Sequence, residues 1–365
     1  MTITFSMRRM RYILPCAALA VAADAMQAQS TSQPGTRRFV ADSFWVRQWM
    51  RGGSKEPDLF TQPRHVVSSA GMATVLDVGT REVFAFDLVT GKSRFTLAAK
   101  GAGPGEFQRP ARIAATPTGF LVLDHGTSRL TAFDGAGRAQ WDTPLKTAVG
   151  TEGICVRENL QILTKTEGAV NALLMLDTAG KAVGRYSLDA SANPTASLEW
   201  SGTVAGPDAR GNCIVARRYG SEWFVVSPAG DVRRYVYVVR ARAPRVDMKE
   251  KVTGTVKISP TIKEETNERF QKIETDVSIY DAMVRADTLI VRASGPGTDE
   301  MRLLDYYHIP SGRYLHSRRL PGLTNGVTIG ADGQFLAIIM GDETSALYAL
   351  RTSDQPALKS KLKAP

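Results

Sequence analysis

The sequence predicts an all-β fold in which four-stranded units follow one another around a closed ring. Strand and turn signals alternate after Pro110, where three apolar runs are each bounded by Gly, Pro or Asp residues. The same frame occurs 47 residues earlier in the chain. Five positions carry the repeat, so that Pro63, Asp77, Gly79, Phe86 and Asp87 precede Pro110, Asp124, Gly126, Phe133 and Asp134. A fixed spacing of this kind favours one domain of repeated units over two unrelated domains.

The first four units can be read in order along the chain. Phe39–Met50 alternates and is rich in aromatic residues, which predicts a strand ahead of the first complete unit. The first unit runs from Pro63 through Val83–Phe86 to Ser93–Ala98, and the second runs from Pro110 to about Leu145. The third contains Gly153–Val156, Leu160–Thr164, Leu173–Asp177 and Gly184–Leu188, and the fourth contains Gly202–Ala205, Asn212–Ala216, Trp223–Ser227 and Arg233–Val239.

The last two units lead to a prediction about closure. The fifth contains Ile279–Val284, Thr288–Ala293, Arg302–His308 and Arg313–Leu320, whereas the sixth has only Gly326–Ile329, Gln334–Met340 and Ala346–Leu350. Phe44–Met50 can supply the strand that the sixth unit lacks, so we expect Val46–Trp49 to pair beside Ala346–Leu350. Closure in this way leaves no unpaired sheet edge at the seam of the ring.

The pattern breaks in an insertion at residues 241–276, between the fourth and fifth units. Ser259–Ile273 is predicted to be a short helix, because Ser259 or Thr261 can cap it and apolar residues recur at helical spacing. Such a stripe needs a surface to pack on. We expect the insertion to pack on the outside or rim of the fold, and a lid over one face is the alternative.

The first residues have the order of a secretory signal peptide. Basic residues precede the apolar run Ile13–Ala23, and small and polar residues follow it. Cleavage is expected after Ala25 or Ala28. The predicted organisation is a signal peptide at 1–28, a linker at 29–43, the ring domain at 44–355 and a tail at 356–365. The apolar run is too short to span a bilayer. We therefore expect a periplasmic or secreted protein without a membrane span.

Cysteine usage leaves one question open. Cys16 lies in the apolar run after Pro15, where a lipid-attachment signal requires a small residue, so Cys155 and Cys213 are the cysteines of the mature chain. An oxidising compartment permits a disulfide between them. Because disulfide geometry is restrictive, the favoured interpretation is two buried thiols that behave as small apolar residues.

The formal net charge of +10 comes from scattered Lys and Arg residues. Only short basic doublets occur, which favours solvated surface charge over a nucleic-acid site. We expect no nucleic-acid partner.

The junction between the first two units and the second unit itself contain a family pattern. Its residues are Gly101, Gly103, Pro104, Gly105, Phe107 and Pro110, followed by Leu121, Val122, Leu123, Asp124, Gly126, Arg129, Leu130, Phe133 and Asp134. This pattern resembles the NHL-repeat type of six-bladed β-propeller found in exported bacterial proteins. It is specific over the first two units and weakens after Leu145, although the strand spacing persists. The resemblance implies six blades and a ligand site in the loops at one mouth of a central channel.

Alignment of the repeats predicts which residues lie at that mouth. His65 and Arg112 begin the inner strands of the first two units. The candidate ligand-binding residues are His65, Arg112, His125, Glu152, Tyr219, Trp223, Tyr280 and Asn325. A basic and aromatic mouth suits an anionic or sugar-like ligand. The alternative is that neighbouring carbonyls and acids satisfy His65 and Arg112.

Two function classes remain open from the sequence. The favoured one is a monomeric, non-enzymatic extracytoplasmic protein that binds a protein, peptide or glycan through one face and uses no cofactor. The other is a metal-dependent hydrolase or lyase of the gluconolactonase-like or amidating-lyase-like propeller class. No HExxH pair, GxSxG turn or phosphate loop occurs, so no catalytic residue and no metal ligand is predicted.

Overall fold

The computed structural model consists almost entirely of antiparallel strands. It describes residues 35–40, 45–98, 100–103, 105–145, 149–157, 162–166, 172–187, 202–239, 245–257, 263–274, 277–330 and 332–353. Within these ranges the only helical segments are two single 3₁₀ turns, Gly53–Lys55 and Gly297–Asp299. No helix in this part of the chain is long and apolar enough to cross a membrane.

The strands form successive four-stranded meanders, which we call units. The first unit contains β2 (Pro63–Ser69), β3 (Met72–Asp77), β4 (Glu82–Asp87) and β5 (Ser93–Leu97). The second contains β6 (Pro110–Thr116), β7 (Gly119–Asp124), β8 (Arg129–Asp134) and β9 (Ala139–Pro144). The third contains β10 (Val149–Val156), β11 (Ile162–Thr166), β12 (Ala172–Leu176) and β13 (Ala182–Ser187).

The remaining units follow the same order. The fourth contains β14 (Gly202–Ala205), β15 (Cys213–Arg217), β16 (Glu222–Val226) and β17 (Val232–Val236). The inserted strands are β18 (Arg245–Lys257) and β19 (Lys263–Glu274). The fifth unit contains β20 (Ile279–Arg285), β21 (Thr288–Ala293), β22 (Leu303–His308) and β23 (Arg313–Arg319). The closing unit contains β24 (Thr324–Ile329), β25 (Phe335–Met340), β26 (Ser345–Thr352) and β1 (Trp45–Gly52).

The expectation of six separate blades is corrected by the hydrogen bonding. The third and fourth units are joined into one eight-stranded sheet by a parallel bridge between Gly153 and Val204, so the ring contains five hydrogen-bonded sheets. Gly153 has a φ of +139°, and a Cβ added there would lie 2.4 Å from the backbone nitrogen of Val204. A glycine therefore allows this close approach, which a side chain would prevent.

The predicted closure of the ring is confirmed. β1 pairs antiparallel with β26, with Arg47 opposite Leu350 and Trp49 opposite Ala349. The inner strands, which are the first of each unit, contact one another in the order β24, β2, β6, β10, β14 and β20, and β20 returns to β24. A buried apolar cluster lies between each pair of neighbouring units. The all-β ring is a β-propeller.

Neighbouring units also interlock at the turns between their third and fourth strands. These turns contain glycines with positive φ at Gly91, Gly137, Gly180, Gly230 and Gly312. A Cβ at each would overlap a side chain on the outer strand of the preceding unit, namely Trp49, Phe95, Thr143, Tyr186 and Tyr235 in that order. Glycine is required both by the left-handed conformation and by the side chain that packs on the turn.

The predicted helix at Ser259–Ile273 is wrong, because the inserted segment is a long hairpin of β18 and β19. Its register places residues of opposite charge at partner positions, for example Asp247 with Lys272 and Glu250 with Arg269. Opposite charges directly across an antiparallel pair favour that pairing. Helical spacing within one half of the insertion carries no information about pairing with the other half, and that pairing makes both halves strands.

The preference for two free buried thiols is also wrong. Cys155 on β10 and Cys213 on β15 form a disulfide, with their Cα atoms 5.9 Å apart. Both residues are fully buried in the apolar cluster between the third and fourth units. The parallel approach of β10 to β14 brings β15 within reach of Cys155, which the sequence separation of 58 does not reveal.

A short segment before β1 is attached to the fifth unit. Phe39 forms a parallel bridge with Ser317 on β23, and the Arg37 Nε donates to Asp305 at 3.0 Å. Asp305 is only 2% exposed, and burial raises its pKa while the charge of Arg37 opposes that rise. The predicted signal peptide and C-terminal tail lie outside the described residues, so those boundaries stay predictions.

Candidate functional site

One end of the central channel collects the start of the inner strands. In a meander, the turn between the second and third strands lies at the same end as the start of the first strand. That end, which we call the channel mouth, is marked by His65, Arg112, Asp281 and Asn325. The turns between first and second strands, such as the one after Arg285, lie at the opposite end.

A bulge at the beginning of several inner strands sets which residues face the channel. Register shifts occur at Arg64, Ala111, Tyr280 and Asn325, each one residue after the start of β2, β6, β20 and β24. As a result, His65, Arg112, Asp281 and Gly326 occupy equivalent positions in their units, and Thr203 has the same position in the unbulged β14. A bulge re-aims side chains in this way without interrupting the sheet.

Arg112 crosses the channel and contacts three other units. Its guanidinium donates to the Nδ1 atom of His65 at 3.0 Å, the hydroxyl of Thr203 at 3.0 Å and a carboxylate oxygen of Asp281 at 3.2 Å. The side chains of Arg112 and Asp281 are 15% and 13% exposed, so the ion pair is mostly shielded from water. Arg112 therefore forms a polar floor beneath the mouth and ties together the first, second, fourth and fifth units.

His65 is neutral in this arrangement. An arginine has only donors, so the Nδ1 atom of His65 must accept the hydrogen bond from Arg112. Burial lowers the pKa of His65 well below its ordinary value, and the charges of Arg112, Arg292 and Arg64 lower that pKa further. His65 thus acts as an acceptor that orients Arg112.

Arg292 is a buried cation beside this floor. It lies opposite Asp281 in the register of β20 and β21 and is 4% exposed. Its guanidinium donates to the backbone carbonyl oxygens of Thr324 and Asn325 on β24. Burial lowers the pKa of Arg292 to about 10. The charges of Arg218 and Arg112 also lower this pKa, whereas the charge of Asp281 raises it. Its charge therefore persists at neutral pH.

Three further predicted residues lie at the mouth. The Tyr280 hydroxyl donates to the Glu300 carboxylate at 2.9 Å, and the guanidinium of Arg292 lies 5.3 Å from the centre of the Tyr280 ring. Asn325 donates from Nδ2 to the Pro63 carbonyl at 3.1 Å, which links the closing unit to the first. Tyr219 is half-buried and pairs through its backbone with Val277.

Of the remaining predicted residues, Trp223 lies in the core and His125 lies in a turn at the mouth end. Trp223 is fully buried in the cluster between the fourth and fifth units, 4.6 Å from the Tyr235 ring, so no ligand at the mouth can reach it. His125 is half-buried in the turn after β7, where its backbone N–H donates to the Arg109 carbonyl. Glu152 lies on β10, and its side chain is outside the described part of the structure.

Two aspartates support the mouth from below. Asp77 accepts backbone N–H bonds from Thr61, Gln62, Gly79 and Thr80, and Asp124 accepts the equivalent bonds from Gln108, Arg109, Gly126 and Thr127. Each carboxylate thereby fixes the entry to an inner strand and the neighbouring turn. The two aspartates are fully buried, and their role is to position the loops.

Two cavities adjoin the site. One of about 170 Å³ lies along the inner strands and includes His65, Arg112 and Asp281 in its wall. The other, of about 530 Å³, lies between the fourth and fifth units and shares Tyr280 and Glu300 with the rim of the mouth. Among the residues described, no three His, Cys, Asp or Glu side chains come together as a metal site.

Sequence reasoning missed Asp281, Thr203 and Arg292. The fifth unit has Ile279 where the first two units have Pro63 and Pro110, so the weakly matching repeat did not fix Asp281 as the residue equivalent to His65 and Arg112. The usable signal was a charged residue inside the apolar strand Thr288–Ala293, since a buried arginine is rare without partners.

Structural similarity to known proteins occurs at low sequence identity. No family model and no curated protein matches the sequence. A putative exported protein from Bacteroides fragilis is 9% identical with a TM-score of 0.52, over 86% of this chain and 98% of that one. The Pan2 WD40 domain of Neurospora crassa is 10% identical with a TM-score of 0.49, over 87% and 99% of the two chains. Virginiamycin B lyase from Staphylococcus aureus is 9% identical with a TM-score of 0.49, over 85% and 98%.

At 9% identity, the likeness to the exported protein shows a shared β-propeller fold. It does not identify a ligand or an activity.

Proposed function

We propose that the chain is an extracytoplasmic, non-enzymatic β-propeller that binds a protein, peptide or glycan at the channel mouth. We interpret the ring as six repeats of the NHL type, two of which are fused through the Gly153–Val204 bridge. The recurrence of the Asp77 contacts at Asp124 supports this interpretation, because the same four backbone donors recur 47 residues later.

The observation that carries the proposal is the floor formed by Arg112. Because its guanidinium bonds to His65, Thr203 and Asp281, side chains from four units meet across the channel below the mouth. A recess with a rigid polar floor and an aromatic rim at Tyr280 and Tyr219 suits recognition of a ligand from one face. The hydrogen bonds of the floor are directed at one another, which favours a positioning role over a catalytic one.

The proposed location outside the cytoplasm rests on two features. The first residues have the pattern of a signal peptide. The buried Cys155–Cys213 disulfide is of the kind that persists in oxidising compartments.

An array of glycans and peptides probed with the purified mature protein tests the binding face. Replacing Tyr219 and Asn325 with Ala at the mouth is expected to reduce binding at least tenfold, because both side chains lie at its rim. The matched control is R285A, an exposed residue at the opposite end of the channel. Equal effects of the two variants on every ligand would rule out the mouth as the binding face.

Elemental analysis of the same protein tests the alternative enzyme class. A non-enzymatic binding protein is expected to contain no stoichiometric metal after purification without chelators. Calcium or zinc at one equivalent per chain would instead favour a metal-dependent hydrolase or lyase.

A further inference from the structure

We infer that the channel mouth binds an oxyanion group, such as a carboxylate or phosphate, that its ligand carries. This inference rests on the proposed binding function and specifies the ligand's chemistry. It depends on four arginines from four units that converge at the mouth, namely Arg64, Arg112, Arg218 and Arg292.

The first step is the uncompensated charge of Arg292. It is 4% exposed, yet among the described residues it forms no ion pair, and its two terminal nitrogens bond to the carbonyls of Thr324 and Asn325. Its Nε atom is buried without a hydrogen-bond partner in the same part of the chain. Carbonyl oxygens satisfy the donors but do not cancel the charge, so Arg292 contributes a positive potential beneath the rim.

The second step concerns the acidic residues nearby. Asp281 is the carboxylate that faces both Arg112 and Arg292, and its ion pair is with Arg112 at 3.2 Å. The carboxylate of Glu300 accepts a hydrogen bond from the Tyr280 hydroxyl instead. Among the side chains that the structure describes, one carboxylate therefore serves two guanidinium groups, which leaves an excess of positive charge at the floor.

The third step is the pair of arginines on the rim. Arg64 is exposed and lies beside Asn325, because Asn325 bonds to the Pro63 carbonyl at 3.1 Å. Arg218 is half-buried, and its carbonyl accepts the backbone N–H of Ser278 at 2.7 Å, close to Tyr280. Neither side chain forms an ion pair with a residue that the structure describes. Both are therefore available to a ligand.

These side chains match the chemistry of an oxyanion. Guanidinium groups bind carboxylate and phosphate oxygens through paired N–H donors, and partial exclusion of water strengthens those bonds. Arg64 and Arg218 provide donors from opposite sides of the recess, while Arg292 and Arg112 provide fixed positive charge below. A neutral ligand would gain no electrostatic attraction from these arginines.

The experiment is a titration of the purified mature protein with citrate, inorganic phosphate and sulfate, measured calorimetrically at constant ionic strength in sodium chloride. Wild type is expected to bind at least one of these anions saturably with a stoichiometry of one. The double variant R64A/R218A is expected to bind at least tenfold more weakly. R64K/R218K retains the charge without the paired donors and is expected to show an intermediate affinity.

The matched control is R285A/R313A, which removes two exposed arginines at the opposite end of the channel. Its affinity is expected to stay within twofold of wild type. Equal losses in the two double variants would mean a general charge effect and would overturn the inference, as would the absence of saturable binding by wild type. Thermal unfolding checks that each variant is folded.

Failure of this inference can be separated from failure of the proposed function. A neutral ligand whose binding depends on Tyr219 and Asn325, but not on Arg64 and Arg218, would refute the oxyanion site and leave the binding mouth intact. If no array ligand depends on the mouth and no anion binds, both proposals are wrong.

Discussion

At the scale of single residues, buried polar groups act by holding backbone in place. Asp124 is 2% exposed and accepts N–H bonds from both the loop before β6 and the turn after β7. Its negative charge is dispersed over these donors, which makes the bonds stronger than neutral ones. The loop that presents Arg112 therefore depends on a residue that no ligand touches.

Replacing Asp124 with Asn is expected to lower the free energy of unfolding by about 3 kcal/mol, because the amide accepts fewer of these bonds and has no charge. Urea unfolding measures the change. The control D134N alters a half-buried turn aspartate that accepts from Ala136 and Arg138, and a smaller loss is expected. Equal losses in the two variants would show that Asp124 has no special supporting role.

The lowered pKa of His65 leads to a prediction of how the stability of the protein changes with pH. Its pKa is lowered in the folded state, so below pH 6.5 the unfolded chain binds a proton that the folded protein does not. The contribution of His65 is therefore complete above pH 6.5 and decreases as the pH falls. Stability is expected to fall between pH 7.5 and 5.0, and this residue contributes at most about 2 kcal/mol to that loss.

The measurement is urea unfolding of wild type and H65N at both pH values. The Asn side chain can still accept from Arg112 but does not titrate, so its stability is expected to change less over this range. An identical pH dependence in the two proteins would contradict a neutral His65.

At the scale of elements, the turns between third and fourth strands determine how units pack. Gly91 has a φ of +69°, and a Cβ there would lie 2.7 Å from the indole of Trp49 on β1. That indole is fixed because its N–H donates to the Leu88 carbonyl at 3.0 Å. The ring cannot move aside without losing this bond.

G91A is expected to cost about 3 kcal/mol, of which about 1 to 2 kcal/mol comes from the left-handed backbone and the rest from the collision with Trp49. Gly297 provides the control, since its φ is +53° and a Cβ there meets nothing within 4 Å. G297A should therefore show the backbone cost alone. Similar losses in the two variants, measured by urea unfolding, would mean that the indole does not confine the turn.

The sequence predicted some of these elements better than others. The missing fourth strand of the last unit identified β1 correctly, because strand counting depends only on turn signals and alternation. The 47-residue spacing also identified His65 and Arg112 as equivalent positions, and their side chains are in contact in the structure. By contrast, Asp281 was missed because the fifth unit lacks the proline that anchors the alignment at Pro63 and Pro110, and an error of one residue assigns the wrong face of a strand.

The inserted hairpin and the disulfide were missed for a different reason. Both depend on pairing between distant segments, and neither the register of β18 with β19 nor the approach of β10 to β14 leaves a local pattern. Trp223 was assigned to the mouth because a turn precedes it, but its position on β16 turns the ring into the core.

At the scale of the whole molecule, the disulfide fastens the joined third and fourth units. Their inner strands are joined by the parallel bridge between Gly153 and Val204, and the Cys155–Cys213 bond adds a covalent link between the same two units. A crosslink across 58 residues restricts the unfolded chain, and the expected contribution is about 4 kcal/mol.

The variant C155A/C213A is expected to unfold at correspondingly lower urea concentration than the oxidised wild type. Reduced wild type is the control, and it should fall to a similar stability if the covalent bond is responsible. An unchanged midpoint in both samples would mean that the clusters on either side hold these units without the bond.

The pairing of β1 with β26 has a consequence for when the ring can close during synthesis. Among the described strands of the ring, β1 is synthesised first and its partner Ser345–Thr352 is synthesised last. A nascent chain interrupted before Ser345 can assemble most of its sheets, yet it leaves Trp45–Gly52 without a neighbour. The ring can therefore close only after Ser345–Thr352 has been synthesised.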